Sequence, residues 1–282
     1  MNTLTRVWFI TGCSKGLGRA LAETVLQHGD RVVATARNVD TLGSLEEIGG
    51  DRVLLLPLDV CDAQAVNGAV DAALRCFGRI DVVVNNAGYG LAGAVEELGD
   101  AEARAQFDTN VFGVLNVLRA TLPTLRQQRS GHILQISSVA GVASTPGLGI
   151  YNASKYALEG LSEALALELK PFGVRVTLIE PGPFRTDWAG PSLITPQQRI
   201  DAYADTAHKT IEMLNGYSGA QPGDPLRAAR AMIEVVESEK PPLRLPMGAL
   251  SVERIRDKLA RTARELDAWE PVSLATEFPP GG

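Results

Sequence analysis

A glycine turn set between a strand and a helix constrains this 282-residue chain more than any other feature. Residues 7–11 are a short apolar run rich in β-formers and read as a strand. Gly12-Cys13-Ser14-Lys15-Gly16-Leu17-Gly18 follows, and residues 19–26 have helical periodicity. In this context glycines let the backbone approach a pyrophosphate, and the helix N-terminus favours its charge. The spacing is G-x-x-x-G-x-G rather than G-x-G-x-x-G, so a plain strand-to-helix turn stays open as the alternative until the rest of the chain is read.

The same alternation continues. Residues 31–36, 53–58, 80–84, 131–136 and 174–179 read as strands, with a short seventh at 243–245. Helical patterns cover 63–77, 151–170, 226–236 and 252–269. A long helix is expected over 102–128, interrupted at Asn110 and Gly113, and Pro123 disrupts it less if it begins a new turn. Strands alternating with helices point to an α/β chain with one parallel sheet covered on both sides, in a single domain over 1–282. Residues 187–223, which include Gly190-Pro191 and a helical run at 197–214, lie beyond the sixth strand's carboxyl end. By that position they are expected to form a substrate lid. Helix 151–170 is apolar on two sides: Leu158, Leu161, Leu165 and Leu169 on one, Ala153, Ala157, Gly160 and Ala164 on the other. One side is expected to pack on the sheet and the other to meet a partner subunit. The Pro/Gly-rich end is expected to be loose.

Net charge is -6, which argues against a nucleic-acid or anionic-membrane partner. Cys13, Cys61 and Cys76 form no close pair, and His28, His132 and His208 are scattered, so no metal site is expected. No apolar run approaches membrane-spanning length, and the start of the chain does not read as a signal peptide. A cytoplasmic protein is expected.

The chemistry is concentrated at Ser138, Tyr151 and Lys155. Tyr151 and Lys155 are four apart and share a helix face, while Ser138 closes the preceding strand. A phenol beside an ammonium and a hydroxyl suits proton transfer to or from a substrate oxygen. At the end of the second strand, where an acid would bind a ribose 2′-hydroxyl, the chain has Ala36 and then Arg37. Arg37, with Lys15 and Ser14, suits a 2′-phosphate and favours NADP(H) over NAD(H). Asp62 is the expected cap of helix 63–77, leaving Asp59 for an adenine amino group. Asn85-Asn86-Ala87-Gly88 ends the fourth strand with small residues and two amides able to tie strand ends.

Thr11-Gly12-x-x-x-Gly16-x-Gly18, Asp59, Asn85-Asn86-Ala87-Gly88, Asn110, Ser138, Tyr151-x-x-x-Lys155 and Pro181-Gly182-x-x-x-Thr186 occur in that order. Together they resemble the short-chain dehydrogenases/reductases, and YNASKYALEGLSEALALEL with IEPGPFRT resembles the 17β-hydroxysteroid-dehydrogenase-like branch. The resemblance implies a Rossmann-type, doubly wound parallel seven-stranded sheet of order 3-2-1-4-5-6-7 in three α/β/α layers, and a homodimer or homotetramer. It implies catalytic roles for Asn110, Ser138, Tyr151 and Lys155. It implies a cofactor site at Gly12, Ser14, Lys15, Gly16, Leu17, Gly18, Arg37, Asp59, Val60, Asn86, Ala87, Gly88, Tyr151, Lys155, Pro181, Gly182, Phe184 and Thr186. The implied reaction is hydride transfer between NADP(H) and a small-molecule carbonyl or alcohol substrate. Lys155 and an oxidised nicotinamide are expected to bring the phenol down towards neutral pH. The alternative is a regulator that binds NADP(H) on the same fold without turnover, against which the presence of both Tyr151 and Lys155 argues.

Overall fold

In a computed structural model that describes residues 5–190, 192–196 and 198–278, seven strands pair side by side, all parallel. Pro191, Gln197 and the Pro/Gly-rich end at 279–282 lie outside the described residues. The strands are β1 (Val7–Ile10), β2 (Arg31–Ala36), β3 (Val53–Pro57), β4 (Val82–Asn85), β5 (Gly131–Ile136), β6 (Val174–Pro181) and β7 (Arg244–Met247). Their spatial order is β3-β2-β1-β4-β5-β6-β7, a Rossmann-like α/β sheet. The expected order therefore holds. Five strands differ in their bounds: β1 and β3 end one residue early, at Ile10 and Pro57, β4 is Val82–Asn85 rather than 80–84, β6 runs on through Pro181, and β7 is Arg244–Met247 rather than 243–245 and contains Pro246. As the edge strand, β7 can tolerate a residue without an amide donor.

Nine helices accompany the sheet among the described residues: α1 (Gly16–His28), α2 (Ser44–Gly49), α3 (Ala63–Phe77), α4 (Asp100–Phe107), α5 (Gly113–Gln128), α6 (Gly149–Leu169), α7 (Lys209–Gly216), α8 (Pro225–Glu237) and α9 (Ala249–Leu274). Strand alternation sends Trp8, Ile10, Val32, Val84 and Leu134 to one face, against Leu21 and Val25 of α1 and Met232 of α8. It sends Val7, Phe9, Val33, Val83 and Ile133 to the other, against Val70 of α3, Val117 of α5 and Leu158 of α6. Burial on both faces explains why the strands read as near-continuous apolar runs.

The long helix expected at 102–128 is α4 and α5 joined by a π-helical turn, Asp108–Phe112, which contains the buried Asn110. Gly113, the first residue of α5, leaves no room for a side chain: a Cβ there would stand 2.6 Å from the Val60 side chain. Pro123 does not begin a new turn; it lies inside α5 on the exposed side, where water can take the freed carbonyl. The run expected at 197–214 is also broken, into turns at Asp201–Tyr203 and Ala204–His208 before α7. The second of these is π-helical and turns His208 inward towards Glu97. The segment is pinned by a two-stranded parallel pairing of Gly90–Leu91 with Leu193–Ile194. On α6, Leu158, Leu165 and Leu169 are buried, whereas Ala153, Gly160 and Ala164 of the second apolar side are exposed in the single chain.

Candidate active site

The carboxyl ends of the central strands open into a cleft of about 1290 Å³. It runs from the glycine turn past Arg37 and Asp59 to Ser138, Tyr151 and Lys155, and is walled on the far side by Pro181–Trp188 and α7. All the expected cofactor residues line it except Gly18, which lies at the base of the turn.

The turn is built for close approach. Gly12 and Gly16 have φ of 72° and 64°, a left-handed backbone that favours glycine. A Cβ on Gly12 would stand 2.9 Å from Ala87 Cα, and one on Gly18 would strike the Asn86 amide. The N-terminus of α1 has no side-chain cap, so its first amides are left for an anion. Asn86 Nδ2 donates to the carbonyls of Thr11 (2.8 Å) and Gly12 (2.9 Å), and Thr11 Oγ1 accepts from the amides of Asn86 and Ala87. Asn86 thus ties the strand ends as expected, but the buried Asn85 side chain does not: neither polar atom has a partner.

Other expected residues sit as follows. Arg37 is exposed at the cleft edge, just after the buried Ala36. Lys15 Nζ is 3.8 Å from Asp187 Oδ2, so it leans across the cleft mouth to the segment beyond β6 rather than standing free. Asp62 caps α3 by accepting from Gln64 and Ala65, and Asp59 accepts from Cys61 N at 2.9 Å. Thr186 Oγ1 accepts from Trp188 N, and Phe184 packs against the core beside Gly223.

The chemical end of the cleft brings Ser138, Tyr151, Lys155 and Asn110 together. Ser138 Oγ accepts from Ala140 N at 3.1 Å, which leaves its proton free to donate. Lys155 Nζ donates to the Ile136 carbonyl at 2.8 Å and lies 5.8 Å from the Tyr151 ring centroid. Asn110 Nδ2 donates to Tyr89 O and Ser154 Oγ, both at 3.2 Å, and its Oδ1 faces Gly88. Burial pushes the Tyr151 phenol up to about 12, with the Ser138 hydroxyl working in the opposite direction. Burial pushes Lys155 down to about 8, against the charge of Glu159. The expected lowering of the phenol is therefore not present in the protein alone: desolvation of the phenolate outweighs the polar neighbours.

Several contributors were not among the expected catalytic and cofactor-binding residues, although Trp188 and Met213 lie in the expected lid. Trp188 packs on Tyr151 with ring centroids 5.1 Å apart; its place in the segment 187–223 was visible in the sequence, its contact was not. Leu148, Ala140, Met213 and Leu214 make the adjoining wall apolar, and Arg254 reaches the rim from α9, donating to the Ala143 and Ser144 carbonyls. Behind Lys155, Glu159 accepts from Ser137 Oγ at 2.5 Å and from Arg244 Nε at 2.9 Å. No local sequence signal marks that cluster.

The short chain dehydrogenase family model matches residues 6–195. The chain belongs to the short-chain dehydrogenase/reductase family of oxidoreductases. It is 42% identical to oxidoreductase BOA17 of Botryotinia fuckeliana over 97% of this chain and 100% of that protein. It is 37% identical to a 3-ketodihydrosphingosine reductase of Bacteroides thetaiotaomicron, over 87% of this chain and 88% of that one. With human 17-beta-hydroxysteroid dehydrogenase type 1 it shares 40% identity over 69% of this chain and 62% of that one. The crystal structure of a short-chain dehydrogenase from Streptomyces avermitilis superposes with a TM-score of 0.92 at 40% identity, covering 98% of this chain and 100% of that one. A Burkholderia phymatum family member in complex with NAD gives 0.79 at 26% identity, covering 91% and 93%. One from Burkholderia cenocepacia in complex with NADP gives 0.73 at 28% identity, covering 95% and 98%. A nicotinamide dinucleotide is thus the cofactor class of the fold, and the open glycine turn and uncapped α1 fit it.

Proposed function

We propose that the protein is an NADP(H)-dependent oxidoreductase that interconverts a ketone and a secondary alcohol. The observation that carries this reading is the convergence of Ser138, Tyr151 and Lys155 at one end of a cleft whose other end is the glycine turn. The cofactor, when bound, supplies the hydride chemistry. In the reductive direction Ser138 donates a hydrogen bond to the substrate carbonyl oxygen, and Tyr151 delivers its phenolic proton to that oxygen. Lys155, held by the Ile136 carbonyl, keeps positive charge beside the phenol and favours phenolate as the proton leaves. Trp188 and the apolar wall exclude water and suit a bulky, largely apolar carbonyl compound, in line with the names of the sphingosine- and steroid-type relatives.

The NADP preference is supported by Ala36 and the exposed Arg37 at the end of β2, where no carboxylate opposes a 2′-phosphate. Residues 187–223 act as the lid. A homodimer or homotetramer is part of the same reading, supported by the exposed small-residue side of α6. So is a reducing cytoplasmic setting, supported by three free thiols.

The test is NADPH oxidation against a panel of steroid, long-chain aliphatic, aromatic and quinone carbonyls. Tyr151→Phe is expected to lower turnover by about 10²–10⁴-fold while NADPH still binds. Wild-type turnover in that variant would end the proposed mechanism, as NADPH binding without oxidation across the panel would end the enzymatic reading.

A further inference from the structure

The last helix leaves the body of the molecule. Its buried residues are Ser251 and Ile255, and Ile255 packs beside Val139 and Ala143. From Leu259 to Phe278 every described residue is exposed. Residues 259–274 thus project as roughly 24 Å of helix with no support from the fold. A helix that short is marginal in water without a packed face. It nevertheless carries Leu259, Leu266 and Trp269 at 61%, 64% and 65% exposure. With Ile255 and Thr262 these fall at alternating spacings of four and three, the narrow seam of a coiled coil.

Charge decides what covers the seam. Residues 251–264 hold five basic side chains (Arg254, Arg256, Lys258, Arg261, Arg264) against Glu253 and Asp257. Residues 265–278 hold Glu265, Asp267, Glu270 and Glu277 and no basic side chain. Two such helices laid parallel would set like charge against like. Laid antiparallel, the basic half of each meets the acidic half of the other.

We propose that the projecting half of α9 pairs antiparallel with α9 of a second copy of this chain. Setting Leu259 against Trp269 and Thr262 against Leu266 of the other copy closes the seam about a two-fold axis. In that register the flanking Arg256 meets Glu270 twice, and Ala263 faces its own copy at the axis. Glu265 also faces its own copy, but each is already paired along its own helix with Arg261 at 3.9 Å. Because Leu250 and Arg254 of the same helix line the cleft, the pair forms beside it.

The experiment uses the full chain with Cys61→Ser and Cys76→Ser, carrying Ala263→Cys and treated with a short bis-maleimide. A covalent dimer is expected. Arg256→Glu alone, or Glu270→Arg alone, is expected to reduce its yield by roughly fivefold at equal protein concentration. The combined Arg256→Glu/Glu270→Arg chain restores opposite charges between antiparallel copies and is expected to recover the yield. Circular dichroism confirms that each variant is folded. A folded Ala263→Cys chain that gives no covalent dimer overturns the proposal, and so does a double variant that stays as weak as the single ones.

Discussion

Lys155 donates its ammonium to the Ile136 carbonyl at 2.8 Å, across the junction between β5 and α6. The side chain is therefore held in position by the protein itself, one helical turn from Tyr151. Burial lowers its pKa to about 8, and Glu159, a turn further along α6, opposes that fall. The basic limb of kcat/KM reports groups of the free enzyme. A limb near pH 8 is expected, where Lys155 loses its charge. Glu159→Gln removes the opposing carboxylate and is expected to move that limb to lower pH, by up to about one unit. A pH profile of NADPH-dependent reduction checks this; an unmoved limb would separate Glu159 from the function of Lys155.

How much of this was readable beforehand follows from sequence distance. Gly12 to Gly18, and Tyr151 with Lys155, act within one or two turns of chain, so spacing alone exposes them. The sheet order followed from resemblance, and the parallel arrangement from the alternation of strands and helices. Contacts between distant loops were not readable: Glu97 meets His208 across 111 residues, and Arg244 meets Glu159 across 85. Neither partner carries a local pattern that points to the other. The state of the phenol in the protein alone was not readable for a different reason. Charge neighbours can be counted in a sequence, whereas the desolvation that dominates at Tyr151 depends on Trp188 and the surrounding walls.

Glu97 fastens the segment beyond β6 to the body. Its Oε1 accepts from His208 Nε2 at 2.6 Å and from Ile200 N at 2.7 Å, and its Oε2 accepts from Ala94 N at 2.8 Å. Burial alone would raise its pKa, but the Ile200 amide, His208 and the Ala94 amide outweigh burial and lower it from 4.5 to about 2. A carboxyl lowered on folding contributes stability above its unfolded pKa and loses it as pH falls. Here that loss spans about pH 4.5 to 2 and amounts to roughly 3 kcal/mol. Glu97→Gln is expected to remove most of it at pH 7 and to speed hydrogen exchange at the Ile200 amide. Unchanged exchange there would mean that the segment is held by other contacts.

Glu180 has the opposite sign. It is buried near the end of β6, neither carboxylate oxygen has a hydrogen-bond partner, and Arg244 Nε is 3.7 Å from Oε1. Burial, followed by the charge of Glu159, raises its pKa from 4.5 to about 7. A carboxyl raised on folding costs stability once it must ionise, so stability falls as pH rises from about 4.5 through 7, by roughly 3 kcal/mol. Glu180→Gln is expected to be about 2 kcal/mol more stable than the parent at pH 8 and nearly equal to it at pH 4.5. Urea unfolding at the two pH values tests this, and a difference independent of pH would contradict it.

Arg37 offers a separate test of cofactor choice, because it stands at the cleft edge and touches none of the groups that move protons. A guanidinium on a 2′-phosphate contributes about 2 kcal/mol. Arg37→Ala is therefore expected to weaken NADPH binding by roughly thirtyfold and to leave NADH within about twofold. Ala36→Asp adds the carboxylate that β2 lacks, which repels a 2′-phosphate and can accept from a ribose 2′-hydroxyl. The preference of that variant is expected to reverse towards NADH. Fluorescence titration of both reduced cofactors measures each change directly. If Arg37→Ala weakens NADH and NADPH equally, Arg37 shapes the cleft without reading the phosphate, and the specificity must come from Ser14 and Lys15 in the glycine turn.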